Sequence, residues 1–137
     1  MNKLSASAAL YKHILERAAV WLEDEFKLPE LLTEKAIKDF YFDPPDEIQD
    51  CIYDAREDIR SSGIETGIPT DEFSRHYECE SVAEQMSDGS WVGWLYWHGG
   101  GKHGEPGSID WIEHAYYLSC EEKEVLTIQR TWTKLKT

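Results

Sequence analysis

The apolar positions along this chain follow two different rhythms. Between Ser7 and Phe26, residues Leu10, Ile14, Ala18, Trp21, Leu22 and Phe26 recur at steps of three and four, which keeps one face of a helix apolar. Pro29 ends that pattern. Leu32, Ala36, Ile37, Phe40 and Tyr41 predict a second, shorter helix over 31–41. Asp43-Pro44-Pro45 closes it and offers an N-cap and a first-turn proline to a third. From Asp46 to Arg60 the stripe is Ile48, Cys51, Ile52, Ala55 and Ile59, with Gly63 placed as a C-terminal cap.

After a loop over 63–70 the pattern becomes strand-like. Asp88-Gly89 is a two-residue hairpin signal. Behind it, Trp91-Val92-Gly93-Trp94-Leu95-Tyr96-Trp97 is aromatic and β-branched. With Asp88-Gly89 as the turn, Cys79 faces His98 and Val82 faces Leu95. Residues 111–118 fit either helix or strand by spacing, and Tyr116-Tyr117 with the polar turn at 120–123 favours a strand. Val125, Thr127, Gln129 and Thr131 alternate with Leu126, Ile128, Arg130 and Trp132, predicting a final strand. The expectation is an α+β fold in one domain, 1–137: three N-terminal helices (about 7–62) packed on an antiparallel sheet (about 73–135). Its four strands lie near 74–86, 90–98, 110–120 and 124–134.

Composition supports a packed core: 41% of the 137 residues are hydrophobic, and six are tryptophan. Cys51, Cys79 and Cys120 are far apart, odd in number and form no CxxC pair. They read as reduced, mostly buried thiols of a cytoplasmic protein. No targeting segment and no membrane-length apolar run is visible. Charge changes the picture most. Twenty-seven acids against fourteen Lys and Arg give a net charge of −13. Such a field repels nucleic acid and anionic membranes and favours basic partners.

The third helix carries Glu47, Asp50, Asp54, Glu57 and Asp58 opposite its apolar stripe. Carboxylates three or four residues apart on a helix lie roughly 5–6 Å from each other. Phosphates along a nucleic-acid strand have a similar spacing of about 6–7 Å, so the row suits the basic groove of a nucleic-acid-binding protein. The same row also fits a solvated helix face, since Arg56 and Arg60 partly neutralise it. A second candidate is the loop Gly99-Gly100-Gly101-Lys102-His103-Gly104-Glu105. Its glycines let the backbone approach an anion, and Lys102 supplies charge, with His103 and Glu105 beside it and His98 placed for acid–base work. It matches neither the phosphate-loop pattern nor the dinucleotide-binding one. His98, His103, Glu105 and Cys79 lack diagnostic metal-ligand spacing. Alternation sends Trp91 and Trp97 to one sheet face and Trp94 and Tyr96 to the other, where Trp94 and Tyr96 are candidate binding aromatics. No nucleophile motif is present and no carboxylate pair stands out, so no catalytic residue, cofactor or metal is assigned.

The stretch Asp88-Gly89-Ser90-Trp91-Val92-Gly93-Trp94-Leu95-Tyr96-Trp97-His98-Gly99-Gly100-Gly101-Lys102-His103-Gly104-Glu105-Pro106 resembles small uncharacterised proteins of phages, prophages and plasmids. The resemblance covers part of the second half only and implies no activity. It implies a mobile-element setting, where small acidic proteins block host or rival enzymes. The functional expectation is therefore an acidic binding or inhibitory protein docking on a basic protein, as in anti-CRISPR, anti-restriction or immunity roles, with no direct nucleic-acid or membrane partner. The alternative is a small enzyme or ligand-binding protein that uses the glycine-rich loop to hold an anion or nucleotide.

Overall fold

The computed structural model describes residues 4–69, 78–99 and 110–135. Three helices come first: α1 (Ala6–Leu22), α2 (Glu34–Phe42) and α3 (Asp46–Ser62), with a 3-10 turn at Glu23–Glu25. They are followed by an antiparallel sheet of four strands in sequential order: β1 (Ile64–Glu65), β2 (Glu78–Gln85), β3 (Trp91–His98) and β4 (Tyr116–Leu118). This is the expected α+β class, with the helices N-terminal to the sheet.

Side chains that satisfy free backbone donors start the first two helices. The Ser5 hydroxyl accepts from the Ala8 N–H, and the Thr33 hydroxyl accepts from the Ala36 N–H. The Ser5 N–H donates to the Glu34 carboxylate, tying the start of α1 to the start of α2. The α1 helix stops well before Pro29, at Glu23, whose φ of 51° reverses the backbone. The α3 helix starts at Pro45 without a side-chain cap, so the Asp43-Pro44-Pro45 run ends α2 but supplies no Asp cap to α3.

The core is one connected cluster. Leu10, Ile14, Leu15 and Ala18 of α1 meet Ile37 of α2 and Ile48, Ile52, Ala55 and Ile59 of α3. Val82, Val92, Trp94, Trp111 and Ile112 complete it from the sheet side. The first half of α1 is buried on most sides, because α2, α3 and the sheet all pack on it. Trp21, expected on the buried stripe, is 46% exposed, since the stripe drifts off the core towards the end of α1.

Two expectations for the second half are corrected. The hairpin register is Cys79 opposite Trp97, Val82 opposite Trp94 and Glu78 opposite His98, one residue from the expected pairing. The cause is the loop. Met86 N–H donates to the Ser90 carbonyl and Gly89 N–H to the Met86 carbonyl, so Ser87, Asp88 and Gly89 form a three-residue connection, with Gly89 at φ 92°. Second, residues 119–135 have no regular secondary structure and are exposed throughout, so the expected strand at 124–134 is absent among the described residues. The fourth strand is instead the two-residue β1, inside the segment read as a loop, paired through Ile64 with Ala83 and Glu65 with Val82. Gly63 is the C-cap of α3, as expected, but its φ of −64° and ψ of 149° are extended rather than left-handed. A side chain there would put its Cβ 2.8 Å from Val82 Cβ and Cγ2, so the glycine makes room for the helix end to reach the sheet.

Candidate functional site

The α3 helix separates its charges by sign. Ile48, Ile52, Ala55 and Ile59 face the core. Arg56 and Arg60 turn towards the sheet side, the Arg56 guanidinium 5.4 Å from the Trp111 ring centroid and that of Arg60 5.1 Å from the Tyr96 ring. Arg60 Nη1 also donates to the Trp97 carbonyl at 2.8 Å, and Trp94 Nε1 donates to the Arg60 carbonyl at 3.3 Å. The helix end is therefore fixed to β3 by two reciprocal bonds.

The five acids expected to form a row fall into two groups. Glu57 bridges Arg56 Nη1 (2.6 Å) and Arg60 Nε (3.2 Å), and Asp58 takes Arg17 Nη1 at 2.7 Å. These two are neutralised within the chain. Glu47, Asp50 and Asp54 are exposed and make no ion pair or hydrogen bond among the described residues. Asp43 and Asp46 are exposed just ahead of them, and Tyr53 (64% exposed) and Phe42 (65%) are uncovered large apolar side chains of the same helix pair. Glu47 and Asp46 also sit in the first turn of α3, where the helix dipole favours negative charge.

A second cluster lies where α1 crosses the sheet. His13 Nε2 contacts Glu84 Oε2, Arg17 Nη2 donates to the same oxygen at 3.2 Å, and the Ser62 hydroxyl donates to Glu84 Oε1 at 3.4 Å. Burial alone would raise the Glu84 carboxyl, but the His13 hydrogen bond and the charges of His13 and Arg17 outweigh it and hold the group below its usual range. His13 is mostly enclosed here. The sequence carries one signal of this cluster: His13 and Arg17 stand four residues apart on one helix face.

The third group occupies the far end of β2 and β3. The His98 ring stacks on Tyr96 with centroids 5.1 Å apart, and lies 3.7 Å from Glu78 Oε2 and 3.6 Å from Glu80 Oε1. Those distances are beyond hydrogen-bond reach, and His98 Nε2 is shielded from solvent with no hydrogen-bond partner among the described residues. A hydrogen bond with Glu80 and the charge of that neighbour raise the Glu65 carboxyl. Beside this group is a shallow open hollow of about 290 Å³ lined by Glu65, Gly67, Ile68, Pro69, Cys79, Glu80 and Ser81. Among the described residues, no group of three His, Cys, Asp or Glu is arranged to hold a metal ion.

Trp94, a candidate binding aromatic, is fully buried, its ring centroid 5.4 Å from that of Trp111. Its face of the sheet is the one the helices cover, so it is a core residue. Tyr96 is partly buried beneath Arg60. Lys102, His103 and Glu105 lie outside the described residues. Cys120 is exposed, unlike the mostly buried thiol expected, while Cys51 and Cys79 are half-buried. No family model, no curated protein and no solved structure matches this chain. Among the described residues no helix is long and apolar enough to cross a membrane.

Proposed function

We propose that this chain is an acidic binding or inhibitory protein that docks on a basic protein through the outer face of α3. One observation carries the reading: Glu47, Asp50 and Asp54 project from α3 with no partner among the described residues, while the helix's arginines, Arg56 and Arg60, are directed inward. Unpaired carboxylates at helical spacing speed encounter with a positive surface and set orientation, whereas apolar anchors supply most of the affinity. Tyr53 and Phe42 are placed to be those anchors. The net charge of −13 extends the attraction over the whole molecule and disfavours direct nucleic-acid contact. The resemblance of 88–106 to mobile-element proteins is consistent with a blocking role and adds no catalytic residue.

The test is capture of basic proteins from the native host on immobilised full-length chain, compared with the triple variant Glu47→Gln, Asp50→Asn, Asp54→Asn. These side chains are exposed, so the variant should unfold within about 0.5 kcal/mol of the parent. It should associate with the captured partner more slowly and with a shallower salt dependence. An unchanged association rate and salt slope would remove α3 as the docking face.

A further inference from the structure

Residues 125–135 form an exposed arm with the composition of a strand. Leu126 (102% exposed), Ile128 (79%) and Trp132 (85%) share one side, alternating with Thr127, Gln129, Thr131 and Thr133. That alternation belongs to a half-buried strand, and no described part of the same chain covers it. The arm also differs in charge from the body. Residues 125–137 contain Arg130, Lys134 and Lys136 and no acid, in a chain whose net charge is −13.

The body offers a matching edge. Among the described residues, strand β4 pairs with β3 alone, through Trp91 with Leu118, Val92 with Tyr117 and Gly93 with Tyr116. Carboxylates stand near it in the chain and in space. Asp110 and Glu113 are exposed just ahead of it, and Asp88 lies in the hairpin loop near its Leu118 end. Asp88 and Glu34 are close enough to add to the burial that raises the Tyr117 phenol. An edge strand presents unpaired backbone donors and acceptors to any strand that can align with it.

We infer that the arm 125–135 of one copy adds as a strand to the β4 edge of a second copy, with Arg130 and Lys134 meeting that copy's carboxylates. The exchange is reciprocal, since each copy carries both an arm and an edge, and a two-fold arrangement closes it as a dimer. Leu126, Ile128 and Trp132 then lose their exposure and the β4 backbone gains a neighbour.

Sedimentation velocity of the full chain up to about 100 µM decides the matter, together with two full-length variants, Ile128→Ser/Trp132→Ser and Arg130→Glu/Lys134→Glu. The expected result is a concentration-dependent dimer whose dissociation constant rises at least about tenfold in each variant, the charge variant losing most of its remaining salt dependence. Far-UV circular dichroism should show both variants as folded as the parent, because the replaced side chains are exposed and make no hydrogen bond or ion pair among the described residues. A parent that stays monomeric overturns the inference, whether its arm lies on its own body, binds a different protein or stays in solvent. A dimer of undiminished affinity in Ile128→Ser/Trp132→Ser also overturns it.

Discussion

Gly63→Ala sets two known effects against each other, and the structure decides the sign. At φ −64° and ψ 149° alanine fits the backbone without strain. Reduced freedom of the unfolded chain would by itself stabilise the variant by about 0.4–1 kcal/mol. The added Cβ, however, would lie 2.8 Å from both Val82 Cβ and Val82 Cγ2 and 3.0 Å from Trp94 Cζ2. Val82 sits on β2 and Trp94 on β3 with its indole bonded to Arg60, so neither can swing away as a flexible surface chain would. Overpacking of this kind costs about 1–3 kcal/mol, which exceeds the entropic gain. The net expectation is a loss of about 1–2 kcal/mol, or a fall in melting temperature of about 3–5 °C per kcal/mol at this chain length. Urea unfolding followed by circular dichroism measures it. Val82→Ala removes one of the two methyl-range contacts, so the double variant should be more stable than the sum of the single changes predicts. A Gly63→Ala protein as stable as the parent, or strictly additive effects, would refute the close approach of the α3 end to the sheet.

Glu84→Gln should lower stability at pH 7 by about 1–3 kcal/mol, the cost of unsettling a charge-assisted bond to His13 and Arg17. Because the folded carboxyl is held below its ordinary value of 4.5, its contribution is present above that pH and is lost as pH falls through the folded value. The variant's stability should accordingly vary less than the parent's across that acid range, in urea titrations at stepped pH. Ile14→Ala, at a fully buried position of α1, should cost about 2–5 kcal/mol by the same assay, and a cost under about 1 kcal/mol would contradict the central placement of α1. Cys120 should react with a water-soluble thiol reagent well before Cys51 or Cys79 in the native protein, as mass mapping of the labelled chain would show.

The helices were legible in the sequence because their signal is local. Ile48, Ile52, Ala55 and Ile59 report a buried face by spacing alone. The hairpin was legible in position but not in register, since Asp88-Gly89 marks a turn without saying that Ser87 belongs to it. Strand β1 is too short for alternation to show, and its two residues are identified by their pairing with Ala83 and Val82. The Val125–Trp132 alternation predicts a strand of the sheet, but alternation shows only that a segment can be a strand and does not name its neighbour. Parity groups Trp94 with Tyr96 opposite Trp91 and Trp97 without saying which face the helices cover. That this face is the covered one depends on Trp111 and the Arg60 carbonyl, which lie far away in sequence. The division of the acidic row has the same origin: Asp58 is neutralised by Arg17, 41 residues away, so Glu47, Asp50 and Asp54 stand out only once α1 is packed beside α3.

The placement of the tryptophans gives the protein two separate optical probes. Trp94 and Trp111, with ring centroids 5.4 Å apart and tilted by 48°, are close enough for their transitions to couple, so the near-UV dichroism of the pair reports the native core directly. Trp132 stands in water at the other extreme, at 85% exposure, and in a Trp21→Phe background, which removes the other half-exposed indole, the quenchable emission should follow the arm. A titration that quenches or blue-shifts the second signal while leaving the first untouched would register docking on an intact fold, and loss of the first would register unfolding.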